Sequence, residues 1–299
     1  MELFASSVLK KKICHNWGMK NLIILASLCL ISLRLYAHDV SDPSKHSKNS
    51  DAKELTAVLK ALDLPADDKG RCPFGKWEME KMDADKIQPE WQCFFAKRDL
   101  QRDSKECFIS PTFLKDPANL SKSQMVKGFI SYVGMAPFPY QYLLEPMANG
   151  GVVAVVKIHY PNLKDFSELE QLGLKSRWQE AQEIWNAYSI NRDLWSVRVE
   201  IVDSSSEGYF HPHLTNKDTR GPYFATHSIN PKYWTKRVMA HELGHMLGLD
   251  DEYDQIQGTI SKRWGCNPKS LMCGDPGTLF EYHFYTIFRR AFCADDKIK

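Results

Sequence analysis

The sequence is short of three things, and each absence excludes something. It has no apolar run of membrane length: the stretch from Leu22 to Leu33 falls below the roughly 20 residues that a spanning helix needs. It has no excess of either charge sign, with a formal net charge of +2. That leaves no electrostatic footprint for nucleic acid or for an acidic membrane surface. It has no internal repeat and no long low-complexity tract, which excludes a repeat array and a wholly disordered chain. What is present is the balance of a soluble globular protein, long enough for one large domain or two of ordinary size.

The segment "MKNLIILASLCLISLRLYAHD", Met19 to Asp39, places a lysine before the apolar run and a small residue, Ala37, after it. That is the layout of a secretory signal peptide. Residues 1–37 are expected to be removed, with Met19 the alternative first residue. The rest of the chain is then exported, to the periplasm or the exterior, without a stable membrane anchor. Cys29 does not follow the small residues of a lipoprotein signal, so no lipid anchor is expected. The exported part holds 34 basic and 36 acidic residues and six cysteines: Cys72, Cys93, Cys107, Cys266, Cys273 and Cys293. An even number in an exported chain predicts disulfides, with the pairing left open.

Residues 38–51 are polar and read as a flexible leader. Ala52 to Leu62 has helical spacing through Leu55, Val58, Leu59 and Leu62. From residue 65 to residue 149 the pattern is irregular, and residues 52–149 read as a loop-rich, disulfide-tied N-terminal region of unknown role. The pattern sharpens from Gly150. "GGVVAVVKIHYP" is a buried strand between glycine and proline. Phe166 to Tyr188 repeats Leu174, Trp178, Ala181, Trp185 and Tyr188 at helical spacing, and "WSVRVEIVD" alternates as a strand. A short strand, Tyr223 to Ile229, precedes a helix over Thr235 to Gly248. A last helix spans Thr278 to Cys293, with Phe280, Phe284, Ile287 and Ala291 on one face. The order predicts an α/β or α+β domain over residues 150–299, and α+β is the class expected.

The chemistry concentrates in "WTKRVMAHELGHMLGLDDEYD", Trp234 to Asp254. On a helix, His241 and His245 stand one turn apart on the same face, so two imidazole nitrogens reach one zinc ion. Glu242 beside the first histidine is placed to take a proton from a water activated by the metal. Gly248 accepts the left-handed conformation that ends a helix and reverses the chain. The reversal brings Asp251 back as a third ligand, with Asp250, Glu252 and Asp254 close enough to compete. The bland alternative is an amphipathic helix that happens to carry two histidines.

The segment resembles the active-site signature of the metzincin zinc peptidases, His-Glu-x-x-His-x-x-Gly-x-x followed by His or, in some members, Asp. The resemblance covers residues 150–293. It implies His241, His245 and Asp251 as zinc ligands and Glu242 as general base. It also implies Met272 in "KSLMCGD" as the methionine turn beneath the zinc. The implied fold is a twisted mixed sheet, an active-site helix, the methionine turn and a C-terminal helix. Where some metzincins carry a tyrosine two residues after that methionine, this chain has Gly274, so no tyrosine is assigned to catalysis. A rival scheme is similar to the gluzincins, with Glu281 as third ligand.

The function implied is a secreted zinc endopeptidase acting on a protein or peptide laid along the edge strand. The alternatives are a secreted zinc-containing binding protein without activity and a hydrolase of cell-wall peptide amides. His211 and His213 are candidates for a second, structural metal, and the acidic run from Asp250 to Asp254 for calcium. Cys72 in "KGRCPFG" invites comparison with prodomain cysteines that bind zinc, but its flanks do not match, and a disulfide is the expected role. A bond between Cys266 and Cys273 would brace the floor of the site.

Overall fold

The residues around Val152–Ile158 are apolar on both faces and bounded by glycine and proline, so the segment becomes an inner strand. A computed structural model of the chain describes residues 49–73, 88–102, 108–115, 120–130, 138–215, 228–229, 234–252, 269–273 and 277–293. All of them lie in one compact unit, Lys48–Lys299. The predicted signal peptide lies outside the described residues. Among the described residues, no helix is long and apolar enough to cross a membrane.

The elements run α1 (Asn49–Ala61), α2 (Gln88–Arg102), β1 (Gln124–Ile130), β2 (Phe138–Pro146), β3 (Val152–Ile158), α3 (Glu168–Ala187) and β4 (Trp195–Ile201). Then come β5 (His213–Leu214), β6 (Ser228–Ile229), α4 (Lys236–Met246), α5 (Glu281–Phe288) and α6 (Arg290–Cys293). The four-stranded sheet has the order β1-β2-β3-β4. The first three strands are antiparallel neighbours, and β3 pairs with β4 in parallel through the α3 crossover. The fold is mixed α+β. The sheet runs across the boundary that the sequence suggests at residue 150, because β2 and β3 are hydrogen-bonded there, Pro146 opposite Val152.

Residues 65–149 are irregular in sequence, yet their described parts contain regular elements. This stretch holds α2, a 3-10 turn at Pro111–Lys115 and the strands β1 and β2. Helix α2 buries Cys93, Ala96 and Leu100 at helical spacing, but it also buries Asp99, which breaks the apolar stripe. Strand β1 buries Val126 and Ile130 but also Gln124, and it exposes Met125 and Phe129, which blurs its alternation in sequence. Strand β2 carries Pro139 and Pro146. Pro139 lies outside the part of β2 that pairs with β3, so its missing N–H breaks no bond on that side.

Helix α3 starts at a capping box. The Ser167 hydroxyl accepts from Glu170 N–H, and the Glu170 carboxylate accepts from Ser167 N–H at 2.9 Å. Its buried face, Leu174, Trp178, Ala181 and Trp185, is the one the spacing predicts, although Tyr188 is exposed. The last helix starts later than expected, at Glu281, and is interrupted at Arg289. A disulfide joins Cys72 to Cys93, tying the segment after α1 to α2. Cys273 is also disulfide-bonded. Cys107 and Cys266 lie outside the described residues, and Cys293 ends α6.

Candidate metal centre

Helix α4 carries the motif. Thr235 caps its N-terminus, its side chain accepting from Val238 N–H at 3.3 Å. The helix lies against α3, where Trp185 Nε1 donates to Ala240 O at 2.8 Å. It is also pressed close to the segment of Met272. A Cβ added at Gly244 would stand 2.3 Å from Met272 Sδ and 3.3 Å from Trp185. Glycine between the two histidines therefore lets the helix settle on the methionine, and Met272 is fully buried there.

The helix ends as its glycine requires. Gly248 has φ of 84°, a conformation costly for other residues. Gly248 N–H donates to His245 O and Leu249 N–H to Gly244 O, both at 2.9 Å, which is the Schellman pattern. Arg290 completes this end. Its guanidinium donates to Leu247 O at 2.8 Å and to the Tyr142 hydroxyl at 3.0 Å, a cation where the helix dipole is negative.

The reversal brings three side chains together. His241, His245 and Asp251 each offer one ligand atom, all within 4.8 Å of one another. His241 Nε2 and His245 Nε2 are 3.2 Å apart. Asp251 Oδ1 is 3.1 Å from the first and 3.2 Å from the second. Ligand bonds of about 2.0–2.1 Å in a tetrahedral shell place neighbouring ligand atoms about 3.3 Å apart, so the triangle has the size zinc needs.

The other imidazole nitrogens decide the tautomers. His241 Nδ1 lies 2.7 Å from Leu271 O, and His245 Nδ1 lies 2.9 Å from Leu249 O. A carbonyl oxygen only accepts, so each Nδ1 carries a proton and, in the neutral ring, each Nε2 presents a lone pair to the centre. Two lone pairs and a buried carboxylate oxygen converge, an arrangement that calls for a cation. Protons compete for the same place. Burial opposes a charge on His245, but Asp251, by charge and hydrogen bond, and Glu242 outweigh it and push the imidazole up to about 9. His241 is raised in the same way, chiefly by its hydrogen bond to Asp251 and against its burial. Burial favours the neutral Asp251, yet the two imidazoles hold its carboxyl far below the carboxylate range. The apparent zinc affinity is therefore expected to fall as pH drops below about 9, because a proton must leave His245 before the metal binds. Zinc titration against a fixed chelator from about pH 6 to 9 checks this, and a flat profile contradicts it.

Glu242 is buried beside the triangle and is not part of it. Its Oε2 has no hydrogen-bond partner among the described residues. Burial, with a smaller push from Asp251, raises its pKa against the pull of the two histidines. It is thus a buried carboxyl with an uncommitted oxygen next to a cation site.

The competing acids go elsewhere. Asp250 Oδ1 accepts from Asp251 N–H at 3.0 Å. Glu252 turns its carboxylate onto Tyr282 and His283. Glu281 is half-buried at the start of α5 and does not join the triangle, and Asp254 lies outside the described residues. Among the described residues, the carboxylates of Asp250, Asp251 and Glu252 each take different partners. His211 Nδ1 lies 3.4 Å from His159 Nδ1, and among the described residues neither His211 nor His213 belongs to a group of three ligand residues. Of the expected edge strand, Ser228–Ile229 forms β6, parallel to β5, and residues 223–227 lie outside the described residues. Spacing along the chain carried no signal for Arg98, Arg290, Tyr282 or His283, which meet the site only through the fold.

Fold and site together define a mixed α+β protein in which a helix and the turn behind it gather two histidines and an aspartate able to hold a metal ion. Two curated proteins are similar to it, both named extracellular small neutral protease. The one from Streptomyces lividans is 30% identical over 140 residues, covering 43% of this chain and 54% of the relative. The one from Streptomyces caespitosus is 31% identical over 107 residues, covering 32% of this chain and 76% of the relative. The chain belongs to the family of these small neutral proteases. It spans about half the length of the first and about three quarters of the second. No family model matches.

Proposed function

We propose that this chain is an exported zinc-dependent endopeptidase with a metzincin-like site, in which His241, His245 and Asp251 hold the zinc and Glu242 is the general base. The observation that carries this reading is the triangle of two imidazole nitrogens and a carboxylate oxygen whose tautomers are set by backbone carbonyls. The family relationship supports it, since both relatives are named as extracellular proteases.

Zinc, when bound, supplies a Lewis acid that polarises the scissile carbonyl and makes water acidic. The protein's own groups do the rest. Glu242 accepts the water proton during attack on the carbonyl carbon and then delivers it to the leaving amine nitrogen. Its buried, uncommitted oxygen suits that task, and its raised pKa brings it nearer to the working pH. Leu271 O and Leu249 O hold the histidine rings in orientation. Met272 supports the helix from below. A protein or peptide substrate laid extended near β6 would be read mainly through its main chain. A binding protein without activity would have no use for a buried carboxylate beside the ligands, so Glu242 favours the enzyme.

Chelation tests the proposal. Removing metal with 1,10-phenanthroline is expected to abolish hydrolysis of an unstructured protein such as casein. Stoichiometric zinc, after the chelator is removed, is expected to restore it. Hydrolysis that persists in metal-free protein sinks the proposal.

A further inference from the structure

Directly after Asp251 the chain places a second carboxylate in the core, outside the group of ligand atoms. Glu252 is completely buried. Its Oε1 accepts from the Tyr282 hydroxyl and lies 2.8 Å from His283 Nε2. His283 Nδ1 accepts from Phe280 N–H at 2.9 Å, so in the neutral ring Nε2 is the protonated nitrogen and donates to Glu252. The Glu252 N–H donates to Met272 O at 2.8 Å. One residue thus joins the turn of the third ligand to α5 and to the floor beneath α4.

The preceding peptide is held from the other end of the chain. Arg98 of α2 donates Nη1 to Asp251 O at 2.6 Å, across 153 positions of sequence. Its Nη2 pairs with the buried Asp99 carboxylate at 2.9 Å. Asp251 is therefore fixed on both sides, its carbonyl by Arg98 and the following residue by Met272, Tyr282 and His283. A buried carboxylate placed among apolar residues is costly unless donors surround it. Here Tyr282 and His283 supply donors to it, and Glu252 is outside the group of ligand atoms.

We propose that Glu252 is a positioning residue for the metal centre, acting with Arg98 to hold the Asp251 turn so that its carboxylate oxygen meets the two imidazoles. This rests on the zinc reading given above. It also gives α2 a role: the helix before residue 150 is part of the support of the third ligand, so it is not a removable cover over the site.

A double-mutant cycle on zinc affinity tests this, measured by chelator competition with the purified protein at fixed pH. Glu252→Gln is expected to weaken zinc binding about 10–100-fold, the usual cost of losing a group that orients a ligand. In an Asp251→Asn background the same change is expected to cost less than about 2-fold, because the ligand through which it acts is already impaired. Should Glu252→Gln fail to fold, Tyr282→Phe takes its place. That change keeps the ring and removes one donor, with an expected loss of about 2–10-fold that again vanishes in the Asp251→Asn background. Equal loss in both backgrounds, or no loss in either, overturns the positioning role while leaving the zinc reading intact. Failure of the unmutated protein to bind zinc overturns the zinc reading, and this proposal with it.

Discussion

Glu242→Gln is expected to lower kcat for peptide hydrolysis by about 10²–10⁴-fold, the range that a positioned general base contributes. Zinc content is expected to stay unchanged. The two outcomes belong together because Glu242 stands outside the triangle of ligand atoms yet is buried against it. Glutamine keeps the size and loses the capacity to take a proton. Steady-state kinetics on an unstructured protein, with metal analysis of the same sample, reads both. Loss of zinc along with activity would make Glu242 a ligand or a structural support. Unchanged kcat would remove it from the mechanism.

The second large effect separates two assignments of the third ligand. Asp251→Asn is expected to weaken zinc binding on the order of 10²–10³-fold. That is one ligand's share of the roughly 10–16 kcal/mol with which a four-ligand protein site holds zinc. Glu281→Gln is expected to leave affinity within about 2-fold, because a half-buried residue outside the triangle gives no bond to lose. Chelator competition on the two variants side by side measures this. The reverse pattern would support the gluzincin-like scheme.

Much of the site could be read from one short segment, because its geometry is local. His241, Glu242 and His245 are spaced by one helical turn, and Gly248 sits at the residue whose φ of 84° reverses the chain. Asp251 follows at the distance that such a reversal spans. The ordinary amphipathic helix accounts for the burial of α4. It does not account for two imidazoles whose Nδ1 atoms face backbone carbonyls while their Nε2 atoms face one carboxylate oxygen. The supports of the site were not legible, because they come from distant segments with no shared period. Arg98 reaches Asp251 from a helix whose apolar stripe is broken by the buried Asp99. Glu252 reads on paper as one more acid in an acidic turn, and only the positions of Tyr282 and His283 show that it points inward. Strands β1 and β2 were hidden by exposed Phe129, buried Gln124 and two prolines.

The same contrast runs through the fold. Helix α3 and strand β4 carry clear periodicities and β3 a continuous apolar run, because the first two bury one face and β3 is buried on both. The junction between α5 and α6 holds one buried arginine, Arg289, and α6 opens with another, Arg290, where a polar face would be expected. Arg290 is buried because it closes the carbonyl end of α4, a task set by tertiary structure.

The most direct test of the central claim is the zinc content of the purified protein, measured beside that of His245→Ala. The account predicts one zinc per chain in the unaltered protein and its loss in the variant, with the disulfides formed in both. A folded, disulfide-bonded unaltered protein without zinc, even after dialysis against the ion, would contradict it.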